Sequence, residues 1–431
     1  MAIKTKRFIN SRKSCSCSMP GVWRAVAYMT GVVVVFHSPK ACAHVARTMD
    51  INAQYRTLAD GRREERASIP LLSTQMQEKD AIFGGVERLT KCLKFAIEKY
   101  QPQCLVIANS CVAGVIGDDV DSVAREVEAD YKIPVLTVDC CGFLDGEYYE
   151  GYFAIKRQLL ARFVKPRAEK IPQSVILLGD NGGPWGQYAT EVARLLEKMD
   201  VKILGQFPGY MDFDDLPQLA AAEAVIVLGG RGHIYKELDA VARQLHDTYG
   251  MSYAPDIYPI GMEQTLLWVE KMGALLGVEQ KAQELIEKEK EATQKQIQKL
   301  LPITQNKKTL LCVGRLLKYF QPAMFIQTLQ RLHMDVTGIV ILDAYLPKER
   351  EEMLAALRKC ASNIPLYNAA EGEELMCEAD IVLTTHELQN KDIKQVFLPM
   401  LPIVGITGEL NFMQGLCRSL CSRLKGGLSY V

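Results

Sequence analysis

Cys17, Cys42 and Cys111 occupy three separate segments of the chain, each at or near the start of a helix that follows a strand or turn. The segments read Cys-Ser-Met-Pro-Gly at 17–21, His-Ser-Pro-Lys-Ala-Cys at 37–42 and Asn-Ser-Cys-Val-Ala-Gly-Val-Ile-Gly-Asp-Asp at 109–119. Three thiolates gathered from distant loops form an incomplete ligand set for an iron–sulfur cluster. The missing ligands must come from elsewhere in this chain or from another subunit. The competing reading of any lone cysteine is a small buried hydrophobe. That reading covers Cys92, Cys104, Cys312, Cys360, Cys377, Cys417 and Cys421. Cys417 and Cys421 are four apart on one helix face, a ligand-like spacing with no third partner nearby. Cys140 and Cys141 end a strand and read equally as neighbours of the same site or as filler. Cys15 lies two residues before Cys17, but the glycine four residues after Cys17 favours Cys17.

The local context predicts how these thiols are held. Ser38 is placed to cap a helix whose first residue is Pro39, so Cys42 falls in the first turn, where the helix dipole favours an anion. Around Cys111 a strand ends at Ala108 and Asn109-Ser110-Cys111 turns into a glycine-spaced segment. Gly114 and Gly117 allow close backbone approach, and Asp118-Asp119 open the next helix.

The 431 residues suffice for about two to four compact domains. Lys+Arg and Asp+Glu are both 51, so no charge excess points to nucleic acid or an anionic membrane surface. Thirteen cysteines without a secretory leader argue for reduced thiols in the cytoplasm rather than a disulfide framework. The apolar run at 22–36 is too short to cross a bilayer and carries Arg24. The basic residues Lys4, Lys6, Arg7, Arg12 and Lys13 read as an exposed arm.

Short β-branched runs alternate with amphipathic stretches, which predicts an α/β fold with mainly parallel sheets. Strands are expected at 31–36, 104–108, 135–138, 175–178, 202–205, 224–228, 309–313, 338–342, 380–384 and 403–406. A Lys/Pro-rich stretch at 163–173 and the end of a long charged helix at 279–301 divide the chain into blocks. These are an N-terminal cluster-ligating block at 1–168, a second at 169–303 and a third at 304–431, each built of βα units.

Cys17-x3-Gly, His37-Ser-Pro-x2-Ala-Cys42, and Cys111 followed by Val-Ile-Gly-Asp-Asp resemble the component 1 superfamily of nitrogenases. So does Thr-Gln-Met-Gln-Glu-Lys-Asp-Ala-Ile-Phe-Gly-Gly at 74–85, close to the family's ExDxIFGG signature. The intervals of 25 residues from Cys17 to Cys42 and 69 from Cys42 to Cys111 are near the family's spacings. The resemblance implies three Rossmann-like α/β domains in a homo- or heterodimer or tetramer of similar chains. It implies that Cys17, Cys42 and Cys111 are this chain's share of an interfacial cluster, [4Fe–4S] or a larger P-cluster type, completed by the partner. It also implies an ATP-dependent iron–sulfur reductase that docks and delivers electrons. The function expected is that of an iron–sulfur subunit of a nitrogenase-like oxidoreductase. The alternative is a scaffold subunit on which a nitrogenase-type metal cofactor is assembled.

The sequence also departs from the family. Where the nitrogenase catalytic alpha chain places a cofactor-binding cysteine, residues 227–233 read Val-Leu-Gly-Gly-Arg-Gly-His, without cysteine. The later segment at 401–409 lacks histidine, so dinitrogen reduction is not expected. The nearest substitutes are His233 and His386, though a lone histidine after a strand is more often structural. The turn Gly-Asp-Asn-Gly-Gly-Pro-Trp-Gly at 179–186, with Gly182 and Gly183, is a candidate cradle for an anionic group. Arg231 in the turn at 229–232 is placed to pair with a carboxylate or a cluster. Both turns also fit ordinary glycine-rich βα connections.

Overall fold

The computed structural model describes residues 17–48, 68–140, 148–180, 188–230, 232–314, 322–342, 347–398 and 403–430. They form three parallel sheets wrapped by helices. The first sheet contains β1 (Val32–His37), β2 (Leu71–Ser73), β3 (Cys104–Ser110) and β4 (Val135–Cys140), ordered β2-β1-β3-β4. The second contains β5 (Ile171–Leu178), β6 (Lys202–Phe207) and β7 (Ala222–Val227), ordered β6-β5-β7. The third contains β8 (Lys308–Val313), β9 (Asp335–Ile341), β10 (Leu366–Asn368), β11 (Ile381–Thr384), β12 (Gln395–Phe397) and β13 (Leu428–Ser429). Its order is β10-β9-β8-β11-β12-β13. Every strand pairing within these sheets is parallel.

Helices of the first part are α1 (Met19–Val26), α2 (residues 40–48), α3 (Asp80–Phe83), α4 (Val86–Tyr100), α5 (Cys111–Ile116), α6 (Val120–Tyr131) and α7 (Tyr148–Phe163). The second part adds α8 (Tyr188–Glu197), α9 (Gly232–Tyr249), α10 (Gly261–Leu276) and α11 (Glu279–Thr304). The third adds α12 (Pro322–Arg331), α13 (Pro347–Cys360), α14 (Gly372–Glu378) and α15 (Gly405–Cys421).

Because successive side chains of a strand point to opposite faces, each sheet serves two cores. Val33 and Val35 of β1 join Leu105 and Ile107 under α4 and α6. Val34 and Phe36 face the other way, into a larger core with α1 and α7. That core continues without a break into Ile176 and Leu178 of β5, Val225 and Val227 of β7, and Leu238, Val241 and Leu245 of α9. The first two sheets therefore share one apolar interior. The third sheet has its own, and Glu409 of α15 ties it to the second part. This fully buried carboxylate accepts hydrogen bonds from Met262 N (2.5 Å) on α10 and from Thr328 Oγ1 and Arg331 Nη1 (both 2.7 Å) on α12.

Nine of the ten expected strands are present, within a few residues. The segment at 403–406 is instead the entry to a helix. Ile403 and Val404 precede Gly405, whose φ of +75° turns the chain into α15, and Val404 makes only an isolated bridge to Ile260. A short apolar run does not distinguish a buried strand from a buried helix face, and Ile406 packs here as helix. Helix α11 runs to Thr304, past Pro302, because its last turn is fastened by Thr304 Oγ1 donating to Leu332 O at 2.8 Å. Strands β2, β10, β12 and β13 span three residues or fewer, too short to leave a periodic signal.

The closest helix contact is between α1 and α7. A Cβ on Gly21 would lie 1.8 Å from Tyr148 O, and one on Gly151 would lie 2.2 Å from Ser18 O. The two glycines let the helices meet backbone to backbone. Gly151→Ala is therefore expected to force the pair apart and destabilise the chain by about 2 kcal/mol or more, measured as a lowered urea midpoint with unchanged slope.

Candidate functional site: three thiols at a strand switch point

In the first sheet the chain passes from β1 to β2 on one side and then crosses to β3 on the other. The carboxyl ends of β1 and β3 thus flank a topological switch point, where open parallel sheets bind their ligands. The two strands run in register to His37 opposite Asn109. Cys42 follows β1 and Cys111 follows β3, so both are delivered to this crevice. Cys17 arrives on the residue pair preceding α1, which packs over both strands.

Each cysteine is held by its local chemistry. Cys17 Sγ accepts from Met19 N at 3.5 Å, across the helix start. Cys42 lies in the first turn of α2, its N–H donating to Pro39 O at 3.2 Å. Ser38 does not cap this helix as expected; its hydroxyl donates to Pro39 O (3.0 Å) and hydrogen-bonds the Cys42 thiol. Cys111 is the first residue of α5, where Ser110 is the cap and accepts from Ala113 N at 3.4 Å. Gly117 serves by its left-handed φ of +76° and not by close approach, since a Cβ there would meet nothing within 4 Å. Asp119 caps α6 as expected, accepting from Ser122 N at 2.9 Å.

The three thiols are half-buried, and Cys42 feels the other two. Burial first, and then the nearness of Cys17 and Cys111, push the Cys42 thiol above its usual pKa, while the Ser38 contact works the other way. Among the described residues no three Cys, His, Asp or Glu side chains are arranged to hold a single metal ion.

Behind the thiols lies a polar latch that links the motif segments. Asp118 accepts from Gly85 N with both oxygens (3.0 and 2.9 Å), and its Oδ2 lies 2.8 Å from His37 Nε2. His37 Nδ1 is 3.1 Å from Thr74 Oγ1, which also accepts from Ser38 N at 3.1 Å. Met76 N donates to Ser38 O at 3.0 Å. Beside this, Asp80 Oδ2 takes the Gln77 N–H (2.7 Å) and the Arg88 Nε (2.7 Å). Gly85 has no room for a side chain: a Cβ would lie 2.8 Å from both Asp118 Oδ2 and His37 Cε1. Burial holds the His37 pKa below its usual value although Asp118 favours the charged ring. His37, Thr74, Gly85 and Asp118 thereby fix the ends of β1 and β3, and with them Cys42 and Cys111.

Around the thiols several apolar side chains are exposed, interspersed with exposed Lys40 and His44. Val45 is one helical turn beyond Cys42 and Val115 one turn beyond Cys111, 54% and 74% exposed. Ile82 and Phe83, on α3 against α5, are 76% and 86% exposed.

The remaining sequence candidates do not gather at this crevice among the described residues. Gly182, Gly183 and Arg231 lie outside the described residues, as do Cys15, Cys141 and the basic stretch at 4–13. His233 belongs to the first turn of α9, following β7. His386 follows β11 in the third sheet, its Nδ1 2.8 Å from Thr385 Oγ1, which also accepts from Gly314 N. Of the cysteines read as core, Cys104, Cys312 and Cys417 are buried, but Cys377 and Cys421 are exposed and Cys92 and Cys360 half-buried. The pair Cys417 and Cys421 straddles the edge of α15 rather than its core face. The latch itself went unread, because four residues spread from 37 to 118 carry no local spacing signal.

Asp118→Ala is expected to leave the Gly85 N–H and the His37 Nε2 unpaired inside the protein. The expected loss is about 3 kcal/mol of stability, measured by chemical denaturation.

The chain matches the family described as "Nitrogenase component 1 type Oxidoreductase" over residues 17–420. It is 26% identical over 352 residues to the nitrogenase molybdenum-iron protein alpha chain of Acidithiobacillus ferridurans, covering 76% of this chain and 68% of that one. It is also 26% identical over 411 residues to the nitrogenase iron-molybdenum cofactor biosynthesis protein NifE of Clostridium pasteurianum, covering 89% and 82%. Its fold superimposes on the solved structure described as "Nitrogenase Cp1 at pH 6.5" with a TM-score of 0.67 at 17% identity, over 94% of this chain and 88% of that one. By the family match over residues 17–420, which spans its switch-point cysteines and strands of all three sheets, the chain belongs to the nitrogenase component 1 type oxidoreductases.

Proposed function

We propose that this chain is the iron–sulfur subunit of a nitrogenase-like oxidoreductase complex, with Cys17, Cys42 and Cys111 supplying half the ligands of a cluster shared with a partner subunit. The observation that carries this is the meeting of three half-buried thiols at one strand switch point. A cluster of the [4Fe–4S] or larger P-cluster type, when bound, supplies one-electron transfer from an ATP-dependent iron–sulfur reductase to an acceptor. The protein's own part is to hold the thiolates apart at fixed positions, exclude water from one side, and leave the other side open.

The open side supports a second chain as the source of the remaining ligands. Exposed Val45, Val115, Ile82 and Phe83 form an apolar rim that a homologous subunit would cover. No helix among the described residues is long and apolar enough to cross a membrane. A reducing, cytoplasmic setting suits the thiolates and belongs to this reading.

A scaffold role in cofactor assembly is the second reading. The likeness to the biosynthesis protein NifE spans more of the chain than that to the catalytic alpha chain, and the segments at 227–233 and 401–409 lack the catalytic chain's cysteine and histidine. Adding reductase and ATP to the anaerobic complex separates the two. Sustained product formation marks the oxidoreductase, and loading of a metal cofactor without turnover marks the scaffold.

Two expected outcomes test the shared site. Cys42→Ala is expected to abolish the brown absorbance and iron content of the anaerobically purified complex while leaving the far-ultraviolet circular dichroism unchanged; full iron retention overturns the assignment. Val115→Asp, at an exposed position, is expected to release the chain from its partner, read as a fall in mass by light scattering at micromolar concentration.

A further inference from the structure

Ser38 stands just before Cys42 in the chain and leaves uncapped the helix that it precedes. The residue is 0% exposed, so its hydroxyl is cut off from solvent. Its backbone is held on both sides. The Ser38 N–H donates to Thr74 Oγ1 at 3.1 Å, and the Ser38 carbonyl accepts from Met76 N at 3.0 Å and from Ser73 Oγ at 3.2 Å. Rotation of the hydroxyl is the freedom that remains. That hydroxyl donates to Pro39 O at 3.0 Å, and the same oxygen accepts the Cys42 N–H at 3.2 Å. Ser38 Oγ and Cys42 N therefore converge on one atom, which brings the hydroxyl against the cysteine.

A serine hydroxyl has one proton to give, and here two acceptors compete for it. While Cys42 is a thiol it carries a proton of its own, and the Ser38 proton rests on Pro39 O. A cysteine that binds iron does so as the thiolate, with no S–H and with negative charge on sulfur. Charged acceptors draw stronger hydrogen bonds than a neutral carbonyl. Pro39 O is not orphaned when the hydroxyl turns away, because the Cys42 N–H still donates to it. Burial and the nearness of Cys17 disfavour a charged sulfur at Cys42, and the Ser38 hydroxyl opposes them.

We propose that Ser38 is a positioning residue of the shared cluster, its hydroxyl turning from Pro39 O to the Cys42 sulfur when that sulfur binds iron. The inference rests on the iron–sulfur reading of Cys17, Cys42 and Cys111. The proton stays on Ser38 Oγ throughout, so the turn involves no acid–base step. A hydrogen bond to a ligating sulfur stabilises the more negative, reduced state and raises the reduction potential. Met19 N offers Cys17 a donor at 3.5 Å, but that donor belongs to the main chain and persists under most substitutions. The donor at Cys42 depends on the identity of residue 38. A residue without a hydroxyl there leaves the thiolates in place and lowers the potential.

The test is a redox titration of the anaerobic full-length complex, followed by absorbance and electron paramagnetic resonance, with iron analysis of each sample. Ser38→Ala keeps the main-chain hydrogen bonds and removes the hydroxyl. It is expected to retain its iron and to show a lower midpoint potential. The expected change is about a tenfold fall in the reduced-to-oxidised ratio at fixed poise, which is about 59 mV for one electron. Ser38→Thr retains a hydroxyl and is expected to stay at the native potential.

Full iron content with an unchanged or raised potential in Ser38→Ala overturns the proposal. An equal fall in Ser38→Ala and Ser38→Thr also overturns it, since packing and not the hydroxyl is then responsible. Should Ser38→Ala lose its iron, Ser38→Gly takes its place in the comparison. Loss of iron there as well assigns Ser38 to the fold of its loop and overturns the proposal. A native complex without iron overturns the iron–sulfur reading itself, whereas native iron with an unmoved potential overturns this inference alone.

Discussion

One carboxylate, Asp118, orders the first third of this molecule. It faces a backbone N–H at Gly85 and an imidazole at His37, so it joins the segment after β3 to the segment before α4 and to the end of β1. Each partner is useless for this purpose alone. A glycine N–H offers no charge, and a buried histidine held below its usual pKa is a weak cation. Together they satisfy both carboxylate oxygens away from water, which is the condition for burying the group at all. Because the latch sits at the carboxyl ends of two paired strands, it also fixes the helices that leave them. Cys42 and Cys111 inherit their positions from it.

The sequence reveals this arrangement unevenly. The three cysteines stand out because they occupy junctions between elements beside Ser, Pro and Gly. The parallel sheets are equally plain, since strands buried on both faces read as unbroken Val, Ile and Leu runs. Asp118 and Gly85 belong to recognisable motif segments, yet their pairing requires the fold: 33 residues separate them and nothing periodic connects them. Ser38 illustrates the opposite error. Its type and position before Pro39 predict a helix cap, but its hydroxyl donates to the Pro39 carbonyl instead.

The burial of Arg24 and Lys156 is legible only in retrospect. In the sequence Arg24 is one charge interrupting an apolar run. Lys156 sits in α7 among Tyr152, Phe153, Ile155, Leu159 and Leu160, all of them buried. A lysine on the buried face of an apolar helix is the available signal, and it is weak because long side chains commonly carry their charge back to water. Here the shared interior of the two sheets closes that route, so only the assembled core shows that the whole side chain is buried. The expected strand at 403–406 failed for a related reason: its apolar residues are buried as anticipated, but the left-handed Gly405 commits them to a helix.

The meeting of α1 and α7 through Gly21 and Gly151 has a consequence for how such a protein can change over evolutionary time. Where two helices touch through side chains, their separation depends on the identity of those residues, and each replacement shifts the frame. Here the separation is set by the thickness of the peptide backbone itself. Side chains elsewhere on the same two helices are then free to be rewritten, from apolar to charged or aromatic, without displacing the segment that carries Cys17. A fixed crossing of this kind lets the lining of an interior diverge in chemistry while the mouth of the site keeps its geometry.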